Sequence, residues 1–104
     1  MVVATTTVID LVNQYIEVLK KNNFPVLEAI LFGSYALGTP KEESDIDLAI
    51  ISDAFTGNRF EDRRKIVPFR RGIDSRIEPI PFRPDDFKNG GNLIDNIKET
   101  GIHL

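Results

Sequence analysis

Asp45 and Asp47, one residue apart, lie in Ser44-Asp45-Ile46-Asp47-Leu48-Ala49-Ile50-Ile51, a segment polar where it begins and apolar where it ends. Side chains along a strand alternate between its faces. Both carboxylates therefore project to one side, with Cα atoms about 6.7 Å apart, while Ile46 and Leu48 project to the other. Mg²⁺ takes hard oxygen ligands, commonly one or two carboxylates completed by waters and substrate phosphates, and an Asp-x-Asp strand supplies that arrangement. Upstream, Gly33-Ser34 follows the apolar stretch Val26 to Phe32. A glycine directly after a strand lets the main chain approach a ligand with no Cβ in the way, and Ser34 adds a hydroxyl and an N–H suited to a phosphate oxygen. If Ser34 also opens a short helix, the helix N-terminus favours the same anion. Phosphate and metal sites would then be neighbours.

Each signal has a plainer reading. Asp-x-Asp alone is common on solvated strand ends, Gly33 could only end a strand, and Ser34 could only cap a helix. What favours the functional reading is the order and spacing: strand, Gly-Ser, the ten residues Tyr35 to Ser44, then an Asp-x-Asp strand.

The elements that must position these groups follow from periodicity. Val8, Leu11, Val12, Tyr15, Ile16 and Leu19 recur at helical spacing, predicting a helix over Val8–Lys21 with Thr7 and Asp10 as a capping box and Asn22-Asn23 as its end. Val26–Phe32 and Ser44–Ile51 read as strands, joined through Gly33–Gly38 and a polar loop to Glu43. Asn58–Arg70 reads as a charged helix ended by Pro68, and Ile73–Phe82 as a third strand whose Pro79 and Pro81 suit a sheet edge. Pro84-Asp85 suits a helix start, Gly90-Gly91 a break, and Leu93–Glu99 a last helical turn before Gly101. Helices alternating with a few strands imply an α/β (α+β) layer structure, with strand order left open by the pattern.

Gly33-Ser34, the Ala36-x-Gly38 that follows, and Ser44-Asp45-x-Asp47 together resemble the signature of the polymerase-β-like nucleotidyltransferase superfamily. Within it, the short length resembles the minimal nucleotidyltransferase (MNT) proteins. The resemblance implies that superfamily's fold, a small mixed β-sheet with helices packed on it, with residues 1–104 forming one minimal nucleotidyltransferase domain. It implies triphosphate binding at Gly33 and Ser34, and two Mg²⁺ ions on three carboxylates, the third on a neighbouring strand. On Ile73–Phe82, Asp74, Arg76 and Glu78 share a face at period two. Glu78, mid-strand near Ile77 and Ile80, is preferred to Asp74, which follows Gly72 at the strand's start. The family usually has Asp there, so Glu78 is a departure with a longer side chain. Asp45, Asp47 and Glu78 are thus the expected catalytic and metal-binding residues. ATP is the expected donor, and AMP transfer to a hydroxyl the expected reaction, with a tyrosine of a partner protein as one acceptor. Many members resembling this chain accompany a HEPN-domain protein as the antitoxin of a toxin–antitoxin pair. Two rivals stand beside this reading: a non-catalytic antitoxin or interaction module, and a nucleotidyltransferase acting on a small molecule such as an aminoglycoside.

The remaining features narrow the classes. A net charge of −3 argues against broad nucleic-acid binding, which needs a clustered basic face. With 41% apolar and 28% charged residues the composition is that of an ordinary folded domain. Cysteine is absent, so no disulfide framework or thiolate metal site exists. The longest apolar run, Leu48–Ile51, is far too short to span a bilayer, and Met1–Thr7 lacks a signal-peptide pattern; a cytoplasmic protein is expected. Arg63, Arg64, Lys65, Arg70 and Arg71 read as a solvated helix face, with Arg71 the nearest to a phosphate-binding role. Tyr15 and Tyr35 read as half-buried packing residues and His103 as a surface residue.

Overall fold

The computed structural model describes residues 5–39 and 44–104; residues 1–4 and part of the polar loop expected up to Glu43 lie outside them. In chain order the elements are α1 Thr5–Lys21, β1 Glu28–Phe32, α2 Ser34–Leu37, β2 Ile46–Ile51, α3 Arg59–Ile66, a 3₁₀ turn Val67–Arg70, β3 Ile77–Phe82, α4 Pro84–Asn89, α5 Asn92–Thr100 and β4 Ile102–His103. The strands form one mixed sheet in the order β3-β2-β1-β4. β1 runs antiparallel to β2 and β4, and β2 runs parallel to β3.

Period-two alternation divides the core. Ala29, Leu31, Ile46, Leu48, Ile50 and Ile77 face α1 and α3, packing with Val8, Val12, Tyr15, Leu19, Tyr35 and Ile66. Ile30, Phe32, Ala49, Ile51 and Phe82 face the other way, onto Phe87, Ile94 and Ile97 of α4 and α5. The helices therefore lie on both faces of the sheet. Tyr15 and Tyr35 are fully buried rather than half-buried. The Tyr15 hydroxyl donates to the Ile66 carbonyl at 2.6 Å, which satisfies it and ties α1 to the end of α3. Among the described residues no helix is long and apolar enough to cross a membrane.

Local chemistry sets the boundaries. α1 closes in a Schellman arrangement: Asn23 takes φ 62°, its N–H donates to the Lys20 carbonyl, and that of Phe24 donates to the Leu19 carbonyl. At its other end the helix already includes Thr5, so Thr7 lies inside it and is not the expected cap. α3 is capped by Asn58, whose side chain accepts from the Glu61 N–H at 3.1 Å. It ends at Ile66, and Pro68 falls within the 3₁₀ turn that continues it.

β3 is an edge strand, as its prolines suggest. The Ile46 N–H donates to the Arg76 carbonyl and the Ser52 N–H to the Phe82 carbonyl, so alternation turns the main chain of Ile77, Pro79 and Pro81 to the open edge. The N–H that proline lacks would have had no partner there. The strand is shorter than expected, because Ser75 and Arg76 form a turn before it, closed by the Ile77 N–H donating to the Asp74 carbonyl at 3.3 Å. β4, two residues pairing with Leu31 and Ile30, is absent from the sequence reading.

Candidate active site

Gly33 ends β1 in a conformation, φ 75° and ψ −154°, that is essentially confined to glycine. A Cβ built there would meet the Asp47 Oδ2 at 2.3 Å, so the main chain of this turn rests directly on the Asp47 carboxylate. Ser34 opens α2, a single turn whose Tyr35 plugs into the core; Gly38, at φ 74°, closes it. The glycine turn and the carboxylate expected to hold metal are therefore in contact.

The sheet register forms a row. Phe32 is the cross-strand partner of Asp47, and Asp47 is that of Glu78. Asp47 and Glu78 share the face occupied by Ala49, Ile51 and Phe82 further along their strands, where α4 and α5 begin to cover the sheet. Asp45 precedes β2 and is exposed, whereas Asp47 and Glu78 are half-buried. Burial raises the Asp47 carboxyl above its ordinary value, and the negative charges of Asp45 and Glu78 push it further the same way. Negative charge accumulates there, and a cation would relieve it.

Glu78 has other partners: its Oε1 pairs with Arg63, and its Oε2 lies 4.0 Å from Arg70 Nη1. Arg70 also donates at 2.8 Å to the edge-facing Ile77 carbonyl. Among the described residues no group of three or more Asp, Glu or His side chains is placed to hold a metal ion. Asp74, the alternative third carboxylate, is committed elsewhere. It accepts from Arg76 Nη2 at 2.7 Å and from the Arg76 N–H at 2.8 Å, and Arg76 Nη1 reaches the Tyr35 hydroxyl at 3.2 Å. Asp74 thus braces α2 through Arg76, and the expectation that Asp74 and Arg76 share a strand face with Glu78 fails because Asp74 sits in the preceding turn.

The basic residues that reach the row are Arg63 and Arg70, not Arg71, which is exposed at the end of the 3₁₀ turn. The helix predicted over Asn58–Arg70 would carry residues seven apart on one side, a signal that pairs Arg63 with Arg70 but does not say which strand they meet; in the fold Arg70 sits on the 3₁₀ turn that continues the helix.

The sequence profile of the nucleotidyltransferase domain family matches residues 12–101. The chain belongs to that family. This nucleotidyltransferase domain is 40% identical over 68 residues to a Methanocaldococcus jannaschii protein provisionally named a protein adenylyltransferase, a match covering 59% of this chain and 44% of that protein. It therefore spans less than half of that relative. Its fold resembles a Sulfolobus solfataricus protein provisionally named a nucleotidyltransferase, with TM-score 0.68 and 18% identity over 95% of this chain and 80% of the other. It also resembles a chain from a toxin–antitoxin crystal structure with AMP-PNP, with TM-score 0.56 and 24% identity over 88% of this chain and 69% of the other. At these identities the two structures speak for the fold, a mixed sheet with helices packed on it.

Proposed function

We propose that this domain catalyses magnesium-dependent transfer of a nucleoside monophosphate, AMP from ATP, onto a hydroxyl group: the hydroxyl oxygen loses its proton and bonds to the α-phosphorus as the bond to pyrophosphate breaks and pyrophosphate leaves. The observation that carries the reading is the contact between the Gly33 turn and Asp47, which makes a phosphate-approachable main chain and a metal-type carboxylate neighbours. Asp45 and Asp47 fit Mg²⁺ by donor chemistry, two hard oxygen groups whose mutual repulsion a cation offsets, and Glu78 joins them if its arginine pairs open. Mg²⁺, one ion or two, supplies neutralisation of phosphate charge and activation of the acceptor oxygen. Gly33 leaves room for the Asp47 carboxylate against the main chain, Ser34 offers a hydroxyl and an N–H to phosphate oxygens, and the Arg76–Tyr35 contact holds α2, and with it the turn, against the sheet.

The acceptor is proposed to be a hydroxyl on a partner protein. The name of the Methanocaldococcus relative and the toxin–antitoxin neighbour support this class, and the sequence resemblance points to a HEPN-type partner. Use of ATP fits a cytoplasmic setting. The test is to incubate the domain with labelled ATP and Mg²⁺ alone, with an aminoglycoside panel, and with the product of an adjacent gene. Label on the partner is the expected result, and label on a small molecule would move the acceptor to the other class. One observation favours a second reading, a non-catalytic binding module: Glu78 is engaged by Arg63 and Arg70. Neutralisation of the partner that survives Asp45→Asn with Asp47→Asn, with no label transferred anywhere, would establish that reading instead.

A further inference from the structure

Arg63 and Arg70 face the same carboxylate but are held differently. Arg70 is anchored: its side chain is 25% exposed and donates to the Ile77 carbonyl on the open edge of β3. The Arg63 side chain is 46% exposed, and Glu78 is the partner that holds it. An ion pair this exposed contributes little, because solvent screens it and two long side chains lose freedom in making it. The Glu78 Oε1 that holds Arg63 is also an oxygen a divalent cation would take, so guanidinium and cation compete for one carboxylate. The carboxylate that holds Arg63 belongs to the cross-strand partner of Asp47, and the Asp47 carboxylate in turn touches the Gly33 turn, so Arg63 released from Glu78 borders the same row. A guanidinium there is suited by shape and charge to phosphate oxygens.

We infer that Arg63 is a donor-triphosphate residue that Glu78 keeps in reserve, surrendering it when a divalent cation takes the carboxylate. The inference rests on the reading of Asp45, Asp47 and Glu78 as cation ligands. It makes the arginine pair a placeholder for metal, with the guanidinium passing from carboxylate to phosphate as the cation arrives.

The test is a titration of Mn²⁺ into the folded chain, followed by calorimetry or by the paramagnetic resonance of free Mn²⁺. It is run with and without a non-hydrolysable ATP analogue, on the native chain and on Asp47→Asn, Arg63→Gln and Arg63→Lys, with melting curves verifying the fold. Without nucleotide, Arg63→Gln is expected to bind Mn²⁺ roughly two- to fivefold more tightly, the scale of an exposed ion pair. With Mn²⁺ present, the same variant is expected to bind the analogue roughly tenfold more weakly, the scale of one lost charge-assisted hydrogen bond. Arg63→Lys, which keeps the charge without the fork, should fall between. A purely structural ion pair has no reason to move the two affinities in opposite directions. If Arg63→Gln moves them together or leaves either unchanged, while Asp47→Asn loses Mn²⁺ binding, the inference is overturned and the cation site stands. If Asp47→Asn binds Mn²⁺ like the native chain, the cation reading itself fails and takes the inference with it.

Discussion

Asp47 and Gly33 make one unit, and each constrains what the other can be. Burial and two neighbouring carboxylates raise the Asp47 carboxyl, so the fold favours its protonated form. The raised value means that Asp47 costs stability once the pH passes the ordinary carboxylate range of about 4, and costs nothing below it, where both states are protonated. Asp47→Asn removes that charge with a near-isosteric amide. Without metal it is expected to melt at or above the native temperature at pH 7 and to lose any advantage below about pH 4. Nucleotide transfer should fall to background in the same variant; undiminished transfer would end the metal-ligand assignment. Gly33→Ala is expected to behave oppositely, being both unstable and inactive. Its backbone conformation costs a non-glycine residue on the order of 1–3 kcal/mol, and its Cβ would displace the Asp47 carboxylate. Chemical denaturation and a transfer assay check both halves, and native stability in that variant would contradict the contact.

The carboxylate row exists because β2 and β3 pair in one particular register. Parallel pairing of β2 with β3 in this register sets Asp47 beside Glu78; a slip of one residue would turn Glu78 to the α1 face. On the other side of the sheet's centre, β1 must end at Gly33 while carrying β4 along its outer edge, and that edge is set by how closely α5 approaches. Gly101, between α5 and β4, has ordinary negative φ, so its backbone does not require glycine. Space does: a Cβ there would lie 2.4 Å from Ile30 Cγ2 and 2.4 Å from the Ile97 carbonyl. Gly101→Ala is therefore expected to destabilise by about 1–3 kcal/mol through overpacking, with the carboxylate row left in place. A lowered denaturation midpoint with an unchanged m-value would be the signature, and an unaffected midpoint would show that the α5–β1 contact gives way easily.

For the molecule as a whole, two aspartates held below their ordinary carboxyl values contribute stability that acid removes. Asp62 is almost fully buried at 2% exposure; burial raises its carboxyl, but hydrogen bonds from the Thr56 N–H and hydroxyl and the Gly57 N–H outweigh this and hold it below its ordinary value. These bonds fasten the loop after β2 to α3, the helix that carries Arg63. Asp74 is lowered by its Arg76 partner, which in turn touches Tyr35 of α2. For both groups the folded value lies below the unfolded one. Their stabilisation is fully present above about pH 4 and disappears as the pH falls through the folded values. The melting temperature should thus decline steeply on acidification below pH 4. Asp62→Asn, which leaves part of the loop's donor set without an acceptor, is expected to cost about 1–3 kcal/mol at pH 7 and to flatten that decline. An acid profile identical to the native one would show that the Asp62 carboxyl titrates alike in the folded and unfolded chain and that its hydrogen bonds do not lower it.

What the sequence by itself determined was local. Helical spacing in Val8–Leu19, the Asn22-Asn23 stop, the Gly33 break, the apolar exit of β2 and the edge character of Pro79 and Pro81 are all readable because their causes lie within a few residues. The Gly-Ser and Asp-x-Asp pattern likewise led to the family that the profile match bears out. The tertiary structure alone decided which carboxylate stands beside Asp47, since period two offers both Asp74 and Glu78 until the β2–β3 register and the turn at Asp74 separate them. It alone showed the two-residue β4, too short to carry a pattern, and the full burial of Tyr15 and Tyr35. It alone brought Arg63 across to Glu78, because that pair joins a helix face to a strand face, and no local periodicity encodes how two separate elements dock.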